Sequence, residues 1–424
     1  MSDYRERVFD ALLKRKLDGI GAVLIEGPKW CGKTTSAEQQ AGSVLYMNDP
    51  KTYRRNLQLA DTDPQKLLEG AAPRLIDEWQ EAPKLWDAIR FEVDHRGAEG
   101  LFILTGSAVP ADMSEVHHTG TGRIARMQMH TMSLWESGES SGDISLIALF
   151  SGSAQNTAVA EMDLNKLAFS VCRGGWPRAV MQKPSVCLDR AYDYLNAIVN
   201  DDISRVDGIR RDPERARRFM RSYARFQGSQ ASLSKIREDV VSGNDSTFDE
   251  KTLNSYLHAL RMMFVVEDMP AWNANLRSKA AIRTSDTRYF TDPSIAVAAM
   301  GLGPKDLLND LNTFGFLFET LCVRDLRIYA QANNGWVYHY RDSDNLECDA
   351  VVHLRNGDYG LVEIKLGGDK LIEEGAKSLK KLHDKLDTDR IHEPSFMMVL
   401  TGVGDYAYRR ADGIWVVPIG GLKP

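Results

Sequence analysis

The run Gly27-Pro28-Lys29-Trp30-Cys31-Gly32-Lys33-Thr34-Thr35 spaces its residues as glycine, four others, then Gly-Lys-Thr. Glycines there let the backbone fold closely around a triphosphate with its N–H groups pointing inward, and a helix starting near Lys33 directs its positive dipole end at the anion. Gly27, Pro28, Lys29, Cys31, Gly32, Lys33, Thr34 and Thr35 are therefore the expected lining of an ATP site. Lys33 is placed to contact the β- and γ-phosphates, and the Thr34 hydroxyl to sit on Mg²⁺. A second pair, Asp77-Glu78, follows 44 residues after the lysine (77 − 33). Asp77 is assigned to the magnesium shell and Glu78 to polarising the attacking water, because neighbours at a strand end point to opposite sides. Thr105-Gly106-Ser107 adds hydroxyls, and Ser107 is expected to sense the γ-phosphate.

These groups need a scaffold. Ala22–Ile25 is a short apolar run of the kind that makes a buried parallel strand; Arg74–Glu78 and Leu101–Leu104 repeat the pattern, each ending in the polar residues above. Strand, glycine-rich loop, helix, strand with Asp-Glu, strand with a polar tip describes a doubly wound parallel α/β sheet holding phosphates at its carboxyl edge.

The motifs GPKWCGKTT, RLIDEW and ILTGSA, with a later Gly122-Arg123, resemble prokaryotic AAA+ ATPases of the archaeal-type clade, in which the motor is followed by a domain of unknown function. The resemblance implies a P-loop AAA+ core over residues 1–140 that hydrolyses ATP with Mg²⁺. It also implies an arginine finger presented to a neighbouring subunit, with Arg123 the candidate and Arg126 the reserve, and hence a homo-oligomer such as a six-membered ring. The loop from Val116 to Arg123, which contains His117 and His118, is longer here than the family usually has.

Near the carboxyl end, Phe314–Glu319 opens an apolar-faced helix, followed by Gly335–Tyr340, Glu347–His353 and Tyr359–Lys365, which read as three strands. Glu363 and Lys365 are two apart and share a face, and Asp349 lies in the preceding strand of a hairpin, so three polar groups converge. The arrangement resembles the PD-(D/E)xK nuclease fold. By that resemblance Asp349 and Glu363 would bind a divalent metal with Glu319 completing its shell, and Lys365 would orient or activate water. Two carboxylates suit Mg²⁺, which takes hard oxygen ligands. The next helix, Leu371–Leu386, carries Lys377, Lys380, Lys381 and Lys385.

Between these parts, a Gly- and Ser-rich stretch over 136–153 marks a boundary. Residues 157–300 are expected as a helical lid and winged-helix region, and 301–424 as the α/β nuclease-like domain. The turn Gly174-Gly175-Trp176-Pro177 resembles a recurring family feature, and the helices around it should pack beside the nucleotide. From Arg205 to Arg225 there are eight arginines and three acids, with Phe219, Tyr223 and Phe226 on one helical face and Arg211, Arg218, Arg221 and Arg225 on another. Helices at Ser232–Val241 and Asp249–Met263, then strands at Phe264–Asp268 and Thr287–Phe290 around a loop with Arg277, Lys279 and Arg283, follow a winged-helix order.

With 53 basic and 59 acidic residues the 424-residue chain carries a net charge of −6, so any nucleic-acid surface is local. The five cysteines are scattered without metal spacing and fit a reducing cytoplasm. Neither a signal-peptide pattern nor an apolar run near the ~20 residues that cross a bilayer is present, so a cytoplasmic protein without membrane partners is expected. Two functions remain: an ATPase acting on duplex or branched DNA, and a nucleotide-dependent switch in signalling or defence that binds protein partners.

Overall fold

The computed structural model describes residues 4–106, 119–160, 162–241, 248–273, 285–386 and 391–424. Ser107, His117, His118, Arg277, Lys279 and Arg283 lie outside them. The chain forms two compact units: one of Met1–Thr131, Asn200–Arg211 and His258–Val265, the other of Met132–Val199, Asp212–Leu257 and Val266–Pro424. Helices of the 157–300 region pack into the second unit alongside the carboxyl-terminal sheet.

In the first unit, strands β1 (Ala22–Glu26), β2 (Ser43–Tyr46), β3 (Arg74–Asp77), β4 (Phe102–Thr105) and β5 (Ile124–Gln128) form one parallel sheet in the order β2-β3-β4-β1-β5. Successive strand residues alternate between its two faces. Val23, Ile25, Leu75 and Ile103 pack with Phe9, Leu12, Leu13 and Leu17 of the Val8–Leu17 helix. Ala22, Leu24, Ile76, Phe102 and Leu104 pack with Trp79, Leu85, Trp86 and Ile89 on the other side. Each fully buried Leu, Ile or Phe contributes about 1.5–3 kcal/mol, so a sheet buried on both faces holds its carboxyl edge, where the polar residues emerge, in one place.

The second unit has a seven-stranded sheet. Its strands are β7 (Thr157–Ala158), β8 (Gly335–Arg341), β9 (Glu347–Leu354), β10 (Tyr359–Lys365), β11 (Phe396–Thr401), β12 (Tyr406–Arg409) and β13 (Trp415–Pro418), in the order β7-β12-β13-β11-β10-β9-β8. β8, β9 and β10 are antiparallel, whereas β11 runs parallel to β10. The Leu311–Ala332 helix precedes β8 and the Asp369–Lys385 helix connects β10 to β11. The boundary expected over 136–153 is sewn to the chain's end: β6 (Ile144–Ser145) pairs with β14 (Leu422–Lys423), and the Ser140 hydroxyl donates to the Leu422 carbonyl (2.7 Å).

The Gly174-Gly-Trp-Pro turn closes on a buried polar hub in this unit. The Gly175 N–H donates to Asp292 (2.9 Å), Trp176 Nε1 to Ser294 (2.9 Å), and Arg324 joins Asp292 (3.1 Å) to Asp325 (2.8 Å). A side chain at Gly174, where φ is +71°, would place its Cβ 2.4 Å from Asp292 Oδ1. Among the described residues no helix is long and apolar enough to cross a membrane.

Candidate functional site

β1 delivers the chain to Gly27, whose φ of +148° and 2.2 Å clearance from a would-be Cβ to the Met129 carbonyl admit only glycine. Gly32, at φ +103°, starts the Lys33–Gln40 helix. No side chain caps that helix start and no acid lies in its first turn, so its N–H groups and dipole are left for an anion. The Lys33 ammonium lies inside the bend, donating to the carbonyls of Gly27 (2.8 Å) and Pro28 (2.9 Å). Cys31 is fully buried, while Thr35 faces solvent.

Asp77 and Thr105 are register partners at the ends of β3 and β4. Asp77 Oδ1 accepts from both Thr34 Oγ1 (2.7 Å) and Thr105 Oγ1 (2.6 Å). The assigned hydroxyl and carboxylate are thus in contact, forming the hard-oxygen pair that Mg²⁺ takes. Thr105, in the polar tip where a γ-phosphate-sensing hydroxyl was expected, commits its own hydroxyl to holding Asp77 instead. Glu78 does not extend the strand as expected: at φ +54°, ψ +48° it is left-handed and opens the Trp79–Glu81 turn. Strand alternation therefore does not set its direction, and its carboxylate is engaged by the Gln80 side-chain amide.

Residues that the motifs do not announce brace this loop. Buried Arg7 donates to the carbonyls of Cys31 (2.9 Å) and His130 (3.0 Å). Asp10 accepts the Arg7 N–H (2.7 Å) and the Tyr4 hydroxyl (2.6 Å). Lys29 forms an ion pair with Asp202 (2.6 Å), in the Asn200–Arg211 segment of the same unit. That segment is the part of the expected lid that does meet the loop.

Arg123 precedes β5, its carbonyl accepting from the Ala22 N–H (3.1 Å). It stands at the amino edge of the sheet, about 13–16 Å along β1 from the phosphate loop, and pairs with Asp94 (2.7 Å). Arg126 pairs with Glu26 (2.6 Å), its guanidinium 5.4 Å from the Trp86 ring centre.

In the second unit the carboxyl-terminal residues come together, though not as the expected three-acid shell. Tyr338 pairs with Val351 but Tyr340 with Cys348, so β9 holds one extra residue around Asp349 and Ala350, a bulge that re-aims side chains. Lys365 Nζ donates to Glu363 Oε2 (2.7 Å) and Asp349 Oδ2 (3.2 Å). Asp349 also accepts the Ile364 N–H (2.7 Å), and Ser378 donates to Glu363 Oε1 (3.2 Å). Burial and the nearby Asp349 charge push the Glu363 pKa up to about 8. Burial alone would lower Lys365, but the carboxylates of Asp349 and Glu363 hold it above its ordinary range. Burial, then Asp349, drives Glu319 far above the usual carboxylate range, and the Tyr289 hydroxyl caps it. Among the described residues no group of three or more His, Cys, Asp or Glu stands at metal-holding spacing. Glu319 is turned to Tyr289, and a lysine occupies the gap between the other two acids.

The arginine stripe is shorter than expected. Arg211 precedes the Pro213–Arg225 helix and is buried, bound to Asp207 (2.6 Å) and the Ile203 carbonyl (2.6 Å). Arg225 pairs with Asp239 (2.8 Å). The Glu250–Met262 helix, its start capped by Asp249 on the Thr252 N–H (2.7 Å), buries Leu253, Leu257 and Leu260 and exposes Lys251, Asn254, His258 and Arg261. The two expected strands after it are single bridges, Val266 with Phe290 and Met269 with Thr287.

Residues 20–137 match the family model described as the AAA domain; residues 164–306 and 314–422 match two described as domains of unknown function (DUF8612 and DUF4143). Two curated relatives, "Uncharacterized protein Rv2008c" of Mycobacterium tuberculosis and "Uncharacterized protein Mb2031c" of Mycobacterium bovis, are each 24% identical over 358 residues, 84% of this chain and 72% of the relative. Among solved structures, the Walker-type ATPase PABY2304 of Pyrococcus abyssi is similar with a TM-score of 0.41 and 14% identity, over 70% of this chain and 96% of its own. An AAA-type ATPase domain is thus followed by a DUF4143 domain.

Proposed function

Taking residues 20–137 as an AAA-type P-loop ATPase domain, we propose that the chain is an oligomeric, Mg-ATP-hydrolysing ATPase that moves or remodels DNA, duplex or branched, and holds it through its carboxyl-terminal part. The observation that carries the ATPase half is Asp77 receiving the hydroxyls of Thr34 and Thr105 at the edge where Lys33 lies. The loop residues Gly27 to Thr34 would hold the triphosphate, and Thr34 with Asp77 its metal. Bound Mg²⁺ would neutralise charge developing on the phosphates. Lys33 exchanges two carbonyl acceptors for phosphate oxygens, a swap between hydrogen bonds of one donor. Glu78 must release Gln80 before it can orient water. Arg123, exposed just before edge strand β5 and far from its own loop, suits delivery to a neighbouring subunit.

The DNA half is supported by the helix, three strands, helix, strand order and by Asp349, Glu363 and Lys365 meeting within it, which resembles PD-(D/E)xK nucleases. The exposed face of the Glu250–Met262 helix adds a basic surface that a groove would accept. Binding of duplex or four-way DNA is expected at low salt, falling steeply as salt rises, with ATP hydrolysis stimulated by the DNA. ATPase assays against single-stranded, duplex and four-way DNA, with particle size followed in parallel, test this; hydrolysis indifferent to every DNA and no salt-sensitive binding end it. A second reading, a nucleotide-dependent switch whose carboxyl-terminal domain binds protein without cutting DNA, is favoured by the Lys365 ammonium between the two carboxylates. Metal-dependent nicking lost in Asp349→Ala rejects it.

A further inference from the structure

The outer edge of the seven-stranded sheet carries an aromatic row that neither site uses. Tyr359, His353 and Trp336 are register partners across β10, β9 and β8, so their side chains lie side by side on one face. Tyr359 is buried beneath the sheet's core, His353 is half-buried, and Trp336, on the edge strand, is 52% exposed. Trp272 packs onto the inner part of the row on the same face, its ring 4.9 Å from Tyr359 and 6.3 Å from His353, and Tyr338 lies 6.4 Å from His353. The Arg355 guanidinium lies 5.7 Å from the centre of the Trp336 ring and forms no ion pair among the described residues. An exposed indole beside an unpaired cation, on a strand whose register neighbour His353 is fixed among packed rings, offers a face on which a base can stack.

Its position names the ligand. Tyr338 pairs with Val351 and Val351 with Leu361, and Glu363 follows Leu361 by two residues, so the aromatic row and Glu363 share one face. Tyr359 is four residues from Glu363 along β10, about 13 Å, and Trp336 lies two strands, about 10 Å, further out, so the exposed indole is about 16 Å from Glu363, or roughly five stacked nucleotides at about 3.4 Å each. A carboxylate and lysine site suited to a phosphodiester thus has, on the same face, a platform for a base and a guanidinium for a phosphate. We propose that Trp336, flanked by Arg355, stacks an unpaired base of single-stranded DNA. The proposal rests on the reading that the carboxyl-terminal domain handles DNA. It adds that the strand it engages is unpaired there, since a base within a duplex offers no free face.

Fluorescence anisotropy of the full chain with a labelled oligothymidylate, the same oligomer with abasic sites, and a duplex provides the test. Trp336→Ala is expected to weaken oligothymidylate binding roughly 5- to 150-fold, the effect of one stacked base. Duplex affinity should stay unchanged, and the abasic oligomer should already bind the wild type weakly. Trp336→Phe, which keeps a ring and cannot fail through loss of an exposed side chain alone, should recover most of the binding. Arg355→Ala should reduce the salt slope by about one phosphate contact. Oligothymidylate binding equal in Trp336→Ala and wild type overturns the platform while leaving the DNA reading intact; wild type that binds none of the three DNAs overturns that reading, and the platform with it.

Discussion

Lys33 and Lys365 are both largely buried amino groups, and their surroundings oppose one another. Lys33 donates to two main-chain carbonyls, neutral acceptors whose loss leaves no charge behind. Lys365 donates to two carboxylates, one of them buried and already short of solvent. Around Lys33 the helix start is uncapped, the glycine bend is open to an anion, and the Asp77 carboxylate is held by hydroxyls that can turn toward a metal. Around Lys365 each charge has an internal partner, and the nearest further acid, Glu319, is tied to Tyr289. The first lysine is positioned for exchange. The second stabilises the domain that contains it, because removing one partner from a buried pair leaves the other's desolvation uncompensated.

Substitution of each lysine sharpens this contrast, the largest effect falling on ligand binding at the first. Lys33→Ala is expected to abolish ATP binding, read by calorimetry, while leaving the folded chain as stable as wild type. A melting temperature that falls with the affinity would mean Lys33 is structural too, and the contrast would break. At the other site Lys365→Met should do the reverse, costing about 3–5 kcal/mol of stability in denaturant melts and leaving ATP affinity unchanged, since it strands the Asp349 carboxylate beside Glu363. Asp349→Asn with Glu363→Gln added to Lys365→Met should restore much of that loss.

The pH dependence of the second site carries a definite sign. With Glu363 near 8 in the fold and near 4.5 when unfolded, the native state holds a proton that the unfolded state has released across that window. Stability contributed by the protonated form is present below about pH 4.5 and is lost as pH rises toward 8. Glu363→Gln should therefore flatten the decline in melting temperature between pH 5 and 8. The flattening is partial, because Glu319 is shifted in the same direction. An unchanged slope would show that Lys365 holds Glu363 ionised throughout.

How far each site was legible follows from how local its determinants are. The glycine bend, Asp77 and three of the sheet's five strands, β1, β3 and β4, are written in short runs and form within a residue of where those runs put them, whereas β2 and β5 went unread. Asp349, Glu363 and Lys365 were legible because a hairpin brings neighbouring strands together by necessity. The direction of Glu78 could not be read from strand alternation, because a left-handed residue interrupts it without any glycine to mark it. Arg7 meets His130 across 123 residues and Lys29 meets Asp202 across 173, contacts that no local period encodes. The only trace of the first was Arg7 and Asp10 at capping distance on the opening helix. Tyr289 was read as part of a wing strand; single bridges form there instead, and its hydroxyl turns inward to Glu319.

Asp202 supplies the finest test, because it makes the loop at the first site slightly resemble the second. It neutralises Lys29, the other ammonium of the glycine bend, at 2.6 Å, with the carboxylate mostly shielded and the lysine about two-fifths exposed. A triphosphate must compete with that carboxylate for Lys29, so Asp202→Asn should tighten ATP binding by a few-fold, consistent with the roughly 0.2–1 kcal/mol that a partly exposed pair is worth. The gain should shrink as salt is raised, since screening weakens the competing pair. The same variant loosens the Asn200–Arg211 segment from the loop, so hydrogen exchange in 200–211 should rise in the free protein. Tighter ATP binding without faster exchange would mean that Asp202 acts through charge alone. Faster exchange with unchanged affinity would place Lys29 outside the nucleotide's reach and leave Lys33 as the bend's one exchangeable cation.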